Sequence, residues 1–194
     1  MLKAKRKKKC QVCGHWFCPS NSLQLTCFTL KCAIEQGKRS AEKQRRRELR
    51  AAKQKLKPRG KLQAEAQTAF NAFIRLRDER RGCISCGETN PAARFGGAWD
   101  CGHYLTVGAY PELRFDELNA HRQCKRCNAG AGQFSQKSRT VQHNYRKSLI
   151  VRIGLARVER LEGPHKPKKY TLNELRAIKT KYQKKRLELK RGRS

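Results

Sequence analysis

The spacing of the cysteines is the feature that most constrains the fold of this chain. Eight of the ten cysteines form four close pairs: Cys10 with Cys13, Cys27 with Cys32, Cys83 with Cys86, and Cys124 with Cys127. Two such pairs supply the four thiolates of a tetrahedral structural zinc site, and separations of two to four residues are typical of it. The pattern therefore predicts two zinc sites. For the two N-terminal pairs, free and reduced thiols are the alternative reading.

The beginning of the chain bears on the state of these thiols. The segment MLKAKRKKKCQVC is basic but lacks the apolar stretch of a secretory signal, and no apolar run approaches the roughly 18 residues that span a bilayer. We therefore expect a protein of the cytoplasm or nucleoid, without a membrane partner. Cysteines in a reducing compartment are more often metal ligands than disulfides.

The charge of the chain points to a polyanionic partner. Lys and Arg number 47 against 15 Asp and Glu, which gives a net charge of +32. Hydrophobic residues make up 37% and aromatic residues 7% of the chain. That content is enough for one compact core with small satellites, but it argues against a single large enzyme with an extensive apolar core.

The N-terminal part divides into a finger and a basic segment. Residues 1–35 are predicted to form a four-cysteine zinc finger, in which Cys18 or His15 could replace one ligand and zinc supplies most of the folding energy. Residues 36–61 are predicted to be a basic linker or helix, because Lys38 to Lys61 carry a net charge of +10. The segment reads as an arm that orders on a phosphate backbone, through residues such as Arg45, Arg46 and Arg47. A plain flexible linker is the alternative.

Helical periodicity dominates the rest of the chain outside one central segment. After Gly60, apolar residues recur at helical spacing as far as Gly82, and Phe70 and Phe73 are expected to pack in the core rather than to stack on bases. The C-terminal region, 141–194, is predicted to be helical and basic. Its last helix has a capping box at Thr171-Leu172-Asn173-Glu174 and a basic face that includes Lys184, Lys185 and Arg186. That face either contacts phosphate or is simply solvated.

The segment from Cys83 to Gln133 carries the residue types that phosphodiester hydrolysis requires. Two cysteine pairs bracket a run that contains Asp100, His103, Asn119, His121 and Asn128. Hydrolysis needs a base that activates water and a hard cation held by oxygen ligands, and His, Asp and Asn supply those groups. The alternative is that His103 completes a structural hydrogen-bond network.

Several separate motifs resemble one known family in order and in kind. They are AFNAFIRLRD, CISCG, WDCGHY, LRFDELNAHRQC, CKRCNAGAGQ, RIGLARVERLE and KYTLNELRAIKTKY. Together they resemble the NinG (Rap) recombination endonuclease family of lambdoid phages over essentially the whole chain. The central segment is also similar to the HNH, or ββα-metal, nucleases, and the ending CNAGAGQ is similar to that of phage endonuclease VII.

The resemblance implies a role for each residue of the central segment. His103 would be the general base, Asn119 would orient that base and steady the loop, and Asn128 would bind a catalytic Mg²⁺ or Mn²⁺. An acidic metal ligand usually stands next to the base, but Gly102 precedes His103 here, and the nearest carboxylate is Asp100.

This departure has a geometric consequence. Residues three apart in a strand lie on opposite faces, so Asp100 can join His103 only if a bulge intervenes at Cys101-Gly102. His121 is a candidate for a phosphate contact or for a supporting role behind the metal ligands, and Cys101 receives no role.

These expectations combine into one architecture. The predicted α+β fold has an N-terminal zinc finger, a basic helical arm, a central zinc-stabilised ββα-metal (HNH-like) module with its preceding helix at 62–140, and a helical C-terminal region. The cofactors expected are two structural zinc ions and one catalytic Mg²⁺ or Mn²⁺.

The resemblance also implies an activity and its partners. The expected protein is a metal-dependent DNA endonuclease that cuts branched DNA, such as Holliday junctions and D-loops, during phage recombination in the host cell. Phage or host recombination proteins and a second copy of the chain are possible partners, since a symmetric junction needs two nicks. The alternatives are a non-catalytic zinc protein that binds nucleic acid, and a nuclease acting on RNA or linear duplex.

Overall fold

A computed structural model describes residues 7–93, 96–130 and 136–193 of the chain. Contacts divide the chain into two compact units, with the boundary between Lys57 and Pro58. The first six residues of the predicted finger, and residues 94–95 and 131–135 of the predicted nuclease module, lie outside the described residues.

The first unit is a small hairpin followed by a long helix. Strands β1 (Lys8–Lys9) and β2 (Trp16–Phe17) pair in antiparallel register, and helix α1 covers Leu30–Lys55. Cys10, Phe17 and Cys32 form the small core of this unit. Most of the predicted basic segment is thus helical, and Cys32 is the residue that α1 buries.

The second unit combines an antiparallel pair of strands with five helices among its described residues. Its elements are α2 (Arg59–Arg77), β3 (Trp99–His103), β4 (Ala120–Cys124), α3 (Lys125–Gly130), α4 (Gln136–Ile153), α5 (Leu155–Glu162) and α6 (Leu172–Arg191). A short 3₁₀ turn at Pro111–Leu113 lies between the two strands. The predicted mixed α+β class is confirmed, with small two-stranded sheets.

Helices α2 and α6 form the main core of this unit with one face of the β3–β4 pair. Phe70 is fully buried and meets Tyr182 edge-on, with ring centroids 4.8 Å apart. Phe73 packs on the same tyrosine, so the prediction that both phenylalanines are core residues is confirmed. The predicted capping box is also present, because Glu174 N–H donates to Thr171 Oγ1 at 3.2 Å and Thr171 N–H donates to the Glu174 carboxylate at 2.8 Å.

Helices α4 and α5 pack together and bury a second cluster around Tyr145, Leu149 and Val158. Because α4, α5 and α6 belong to the same compact unit as the strands, the C-terminal helices help to build the scaffold of the central segment. Within residues 7–93, 96–130 and 136–193, no helix combines the length and apolar character that crossing a membrane requires.

Candidate active site and metal centres

Cys83, Cys86, Cys124 and Cys127 form one four-thiol cluster in the second unit, with all sulfur atoms within 4.8 Å of one another. The first pair lies in the turn that follows α2, whereas Cys124 ends β4 and Cys127 lies in α3. The backbone N–H of Cys124 donates to Cys83 Sγ at 3.3 Å. Four thiols at this spacing fit a structural zinc ion, which would tie the turn, the strand and the helix together.

Cys10, Cys13, Cys27 and Cys32 form the corresponding cluster in the first unit. The backbone N–H of Cys13 helps to lower the pKa of the Cys10 thiol to about 6, and burial raises the pKa of Cys32 to about 12. The Cys32 thiol has a high pKa, but a cation bound beside it would favour its thiolate form. The four thiols of this cluster therefore fit a zinc ion. Cys18 and His15 are exposed and lie outside the cluster.

Asp100 and Asn128 meet beside the second cluster although 28 positions separate them in the chain. Asn128 Nδ2 donates to Asp100 Oδ2 at 3.1 Å, and Lys125 Nζ lies 3.3 Å from Asp100 Oδ1. Asp100 belongs to β3, and the other two residues lie on α3, which begins directly after β4. Carboxylate and amide oxygens are suitable donors for Mg²⁺ or Mn²⁺, and turning the Asn128 amide over would direct its oxygen toward the same point.

The strand register separates this pair from His103. The pairing of Trp99–His103 with Ala120–Cys124 is continuous, so these paired residues contain no bulge at Cys101-Gly102. The bulge that would unite Asp100 with His103 is therefore absent here, and their side chains leave the strand on opposite faces. Three residues of strand also separate them by about 10 Å.

Gly102 explains why no carboxylate can precede His103. A Cβ at position 102 would lie 2.1 Å from Gln123 Oε1. The Gln123 amide is buried and donates to Ser85 Oγ at 2.8 Å, so it has little freedom to move away. The backbone at this position thus passes too close to β4 for any larger side chain.

His103 lies against α2 at the end of β3. Its Nε2–H donates to the Arg114 carbonyl at 3.0 Å, and its ring stacks on Phe70 with centroids 5.9 Å apart. Because a carbonyl can only accept, the neutral ring carries its proton on Nε2 and its lone pair on Nδ1. Burial lowers the pKa of His103, which keeps the imidazole neutral and able to accept a proton.

Asn119 holds the loop between the two strands. Its fully buried amide accepts from Leu105 N–H at 2.8 Å and donates to the Leu105 carbonyl at 3.0 Å. Its own backbone carbonyl accepts from Tyr104 N–H at 2.8 Å, immediately after His103. These contacts are compatible with the predicted role in steadying the loop and the base.

The prediction that His121 contacts phosphate needs correction. His121 is only 3% exposed, and its Nδ1 lies 3.0 Å from Arg77 Nη2 and 3.3 Å from Asp78 Oδ2. Arg152 completes the cluster, at 3.6 Å from the same carboxylate oxygen. We call these four residues the buried ionic cluster, and its position inside the unit removes His121 from the DNA-contact set.

The residues predicted to contact DNA differ in their surroundings. Arg45 and Arg46 are 70% exposed and pair with Glu42 on α1, and Arg47 is also exposed. On α6, Lys184 and Arg186 are exposed. Lys185 instead pairs with Glu117 and lies over the rings of Phe73 and Tyr182, so it ties α6 to the inter-strand loop, and its contact with DNA stays a prediction.

Sequence reasoning missed Lys125 and the charged members of the buried ionic cluster. Lys125 stands between two zinc-cluster cysteines, and that position was the available signal that it lies near the site. Arg77 and Asp78 read as the polar end of a helix, and nothing in the local pattern indicated that the Asp78 carboxylate is buried.

Comparisons with known proteins agree over nearly the whole chain. Residues 2–192 match the family model described as "Bacteriophage Lambda NinG protein". The chain is 40% identical to "Protein ninG" of Escherichia phage 933W, covering 97% of this chain and 96% of the relative. It is 41% identical to "Protein ninG" of Salmonella phage P22, and the match covers 98% of this chain and 97% of the relative. The chain is 39% identical to "Protein ninG" of Escherichia phage lambda, and the match covers 98% of this chain and 96% of the relative. No solved structure matches the chain.

Proposed function

This chain belongs to the NinG family, and from that premise we propose that it is a divalent-metal-dependent DNA endonuclease that cuts branched DNA, such as four-way junctions and D-loops, during phage recombination. The membership and the two four-thiol clusters support a phage protein that binds structural zinc. Nuclease chemistry, the branched substrate and the catalytic metal are the proposal.

The observation that carries the proposal is the meeting of Asp100 and Asn128 beside a zinc-type cluster. A strand and a helix supply one oxygen-bearing side chain each, and the Cys83, Cys86, Cys124 and Cys127 thiols tie together the segments next to them. The cysteine cluster can therefore fix the positions of Asp100 and Asn128 although the strands are short and the local core is small.

Asp100 and Asn128 would hold the metal ion, and Lys125, which contacts Asp100 in the structure, supplies positive charge nearby. A bound Mg²⁺ or Mn²⁺ would polarise the scissile phosphate and stabilise the leaving oxygen. The protein residues fix the position of the phosphate, and the surrounding positive charge attracts the DNA backbone.

The general base remains a separate prediction. His103 has a neutral ring suited to accepting a proton, but it stands on the other face of β3 from Asp100. The proposal therefore rests on the metal pair, and the involvement of His103 is tested by a variant of its own.

A non-catalytic, zinc-containing DNA-binding protein is the second candidate. It is favoured by the separation of His103 from Asp100 across the strand, since a binding protein needs no base beside its metal ligands.

The test is nicking of a labelled four-way junction and of a linear duplex with the same sequence, in Mg²⁺, in Mn²⁺ and in chelator. We expect metal-dependent cutting of the junction by the wild type, and loss of at least about 100-fold in Asp100→Asn and Asn128→Ala, because a metal ligand acts directly on the reacting phosphate. His103→Gln should lose a similar factor if the imidazole is the base.

Two controls separate the loss of a metal ligand from a general loss of charge or of DNA binding. Asp116→Asn changes a carboxylate of the inter-strand loop by the same single charge and should leave cutting within about twofold of the wild type. Junction binding should persist in every variant. Binding without cutting in either metal would favour the non-catalytic candidate, and equal cutting by Asp100→Asn would refute the assigned metal pair.

A further inference from the structure

The Lys125 side chain occupies the candidate metal site through its contact with Asp100. Its ammonium lies 3.3 Å from Asp100 Oδ1, while Asn128 Nδ2 holds the other carboxylate oxygen at 3.1 Å. Both oxygens that a divalent ion would use therefore already have partners. The two ionic side chains are 22% and 31% exposed, so solvent screens their attraction only in part.

The backbone around Lys125 defines where the ammonium sits. The N–H of Lys125 donates to the Ala98 carbonyl at 3.2 Å, which continues the pairing between the ends of β3 and β4. Gly96 has φ of 79°, and a Cβ there would lie 3.3 Å from Lys125 Nζ. The positive φ favours glycine at position 96, and a Cβ there would make a tight contact with the ammonium beside Asp100.

From this arrangement we infer that Lys125 is a built-in competitor for the divalent ion. An incoming ion and the ammonium cannot share the same carboxylate oxygen without strong repulsion. Metal binding therefore displaces Lys125 from Asp100. The displaced ammonium stays within a side-chain length of the metal, where a phosphate of the DNA becomes its natural partner. This inference rests on the proposed function and links metal loading to phosphate binding.

Binding of Mn²⁺ to the zinc-loaded, full-length protein, followed by electron paramagnetic resonance, tests the displacement without using activity. Lys125→Met removes the competing charge and should bind Mn²⁺ about threefold to tenfold more tightly than the wild type. Lys125→Arg, which keeps the charge, should retain the wild-type affinity within about twofold. Zinc content and circular dichroism of each variant check that the fold persists.

Arg126→Met is the matched control, because it removes one positive charge from the adjacent, exposed position. Its Mn²⁺ affinity should stay within about twofold of the wild type. Equal tightening in Lys125→Met and Arg126→Met would mean that overall charge, and not displacement, sets the affinity, which would overturn the inference. Unchanged affinity in Lys125→Met would also overturn it.

Salt dependence of junction binding tests the phosphate step. In chelator, the wild type and Lys125→Met should have the same slope of log K against log salt. The same measurement in Ca²⁺, which replaces Mn²⁺ as the divalent ion, should give the wild type a steeper slope than Lys125→Met. The expected difference is about 0.9, which corresponds to one phosphate contact. Equal slopes in Ca²⁺ would overturn this step.

The two proposals fail in different ways. Tighter Mn²⁺ binding in Lys125→Met together with no cutting of any DNA would support the displacement and refute the nuclease. Absence of Mn²⁺ binding in both the wild type and Lys125→Met would refute the metal pair and, with it, the displacement.

Discussion

At the residue scale, the buried ionic cluster is the most demanding feature of the second unit. Asp78 is 1% exposed and receives two hydrogen bonds from the Arg77 guanidinium, each at 2.8 Å. Burial alone would raise the pKa of Asp78, but the hydrogen bonds and the charge of Arg77 outweigh it and hold that pKa well below its usual range. The Asp78 carboxylate therefore compensates the positive charges of Arg77 and Arg152 inside the unit.

Asp78→Asn tests this balance. Removing the charge leaves Arg77 and Arg152 beside a neutral amide, and breaking a buried ionic cluster from one side typically costs about 3–5 kcal/mol in the free energy of unfolding. Glu79→Gln is the control, because this neighbour is 59% exposed and its loss should cost less than about 1 kcal/mol. Urea unfolding of both variants gives the comparison, and similar costs would contradict a special role for Asp78.

The pH dependence of stability tests the state of His121. Its Nε2–H donates to the Leu118 carbonyl at 3.2 Å, so Nδ1 is the acceptor for Arg77, although it also lies near the Asp78 carboxylate. Burial lowers the pKa of His121 despite the opposing effect of Asp78. We therefore describe this ring as neutral in the folded protein.

A neutral buried histidine destabilises the fold as the pH falls. The unfolded chain takes up a proton near pH about 6.5, and the folded chain does so only at lower pH, so stability is lost through that window at up to about 1.4 kcal/mol per pH unit. The free energy of unfolding should fall more steeply between about pH 6.5 and 5.5 in the wild type than in His121→Gln. Parallel curves would mean that His121 has the same pKa in the folded and unfolded chains, and a shallower fall in the wild type would mean that the fold raises the pKa of His121.

At the element scale, α6 completes a core that α2 and the strands cannot close alone. Leu175 is fully buried against this core, and Tyr182 donates to the Phe115 carbonyl at 3.1 Å. Lys179 of α6 also pairs with Glu65 of α2 at 2.8 Å. The last helix is thus a structural part of the unit as well as a carrier of positive charge.

Leu175→Ala measures how much this helix contributes. Truncation of a fully buried leucine should lower the free energy of unfolding by about 2–5 kcal/mol, because transfer energy is lost and a cavity remains. Leu187→Ala on the same helix is the control, since Leu187 is 58% exposed and its truncation should cost less than about 1 kcal/mol. Equal effects in chemical denaturation would mean that α6 packs loosely.

Local signals predicted the helices well and the site geometry only in part. Apolar spacing indicated α2 and its buried phenylalanines, and the Thr171 and Glu174 pattern indicated the start of α6, because helix periodicity and capping are local properties. The register of β3 against β4 is set by long-range packing, so the sequence alone left the face of Asp100 open. The approach of Asn128 to Asp100 was expected from the family resemblance, whereas the burial of His121 depends on charges brought from α2 and α4.

At the scale of the whole molecule, two separate units each contain one four-thiol cluster. Metal analysis should find two zinc ions per chain. Cys10→Ser should reduce this to one, because three remaining thiols bind zinc more weakly and the second unit keeps its own cluster. Cys18→Ser should retain both ions, since this exposed cysteine lies outside the cluster. Loss of zinc from Cys18→Ser to the same extent would contradict the ligand assignment.

The net charge of +32 should dominate the affinity of the proposed DNA binding. Phosphate neutralisation releases counterions, so log K for binding falls by about 0.9 for each phosphate contact per decade of salt. Replacing Arg45, Arg46 and Arg47 together by Gln should reduce that slope by up to about 2.7 if each residue contacts one phosphate. Glu42 pairs with Arg45 and Arg46 and so competes with the phosphates for these two side chains. We therefore expect the slope to fall by less than this maximum.

A matched control separates a specific contact of α1 from bulk charge. Replacing Lys166, Lys168 and Lys169 by Gln removes the same charge from the segment that precedes α6. Binding of one junction between about 50 and 200 mM salt gives the slopes of all three proteins. A reduction confined to the α1 variant would mean that this helix lies along the DNA backbone. Equal reductions would mean that the arginines of α1 act only through the total charge of the chain.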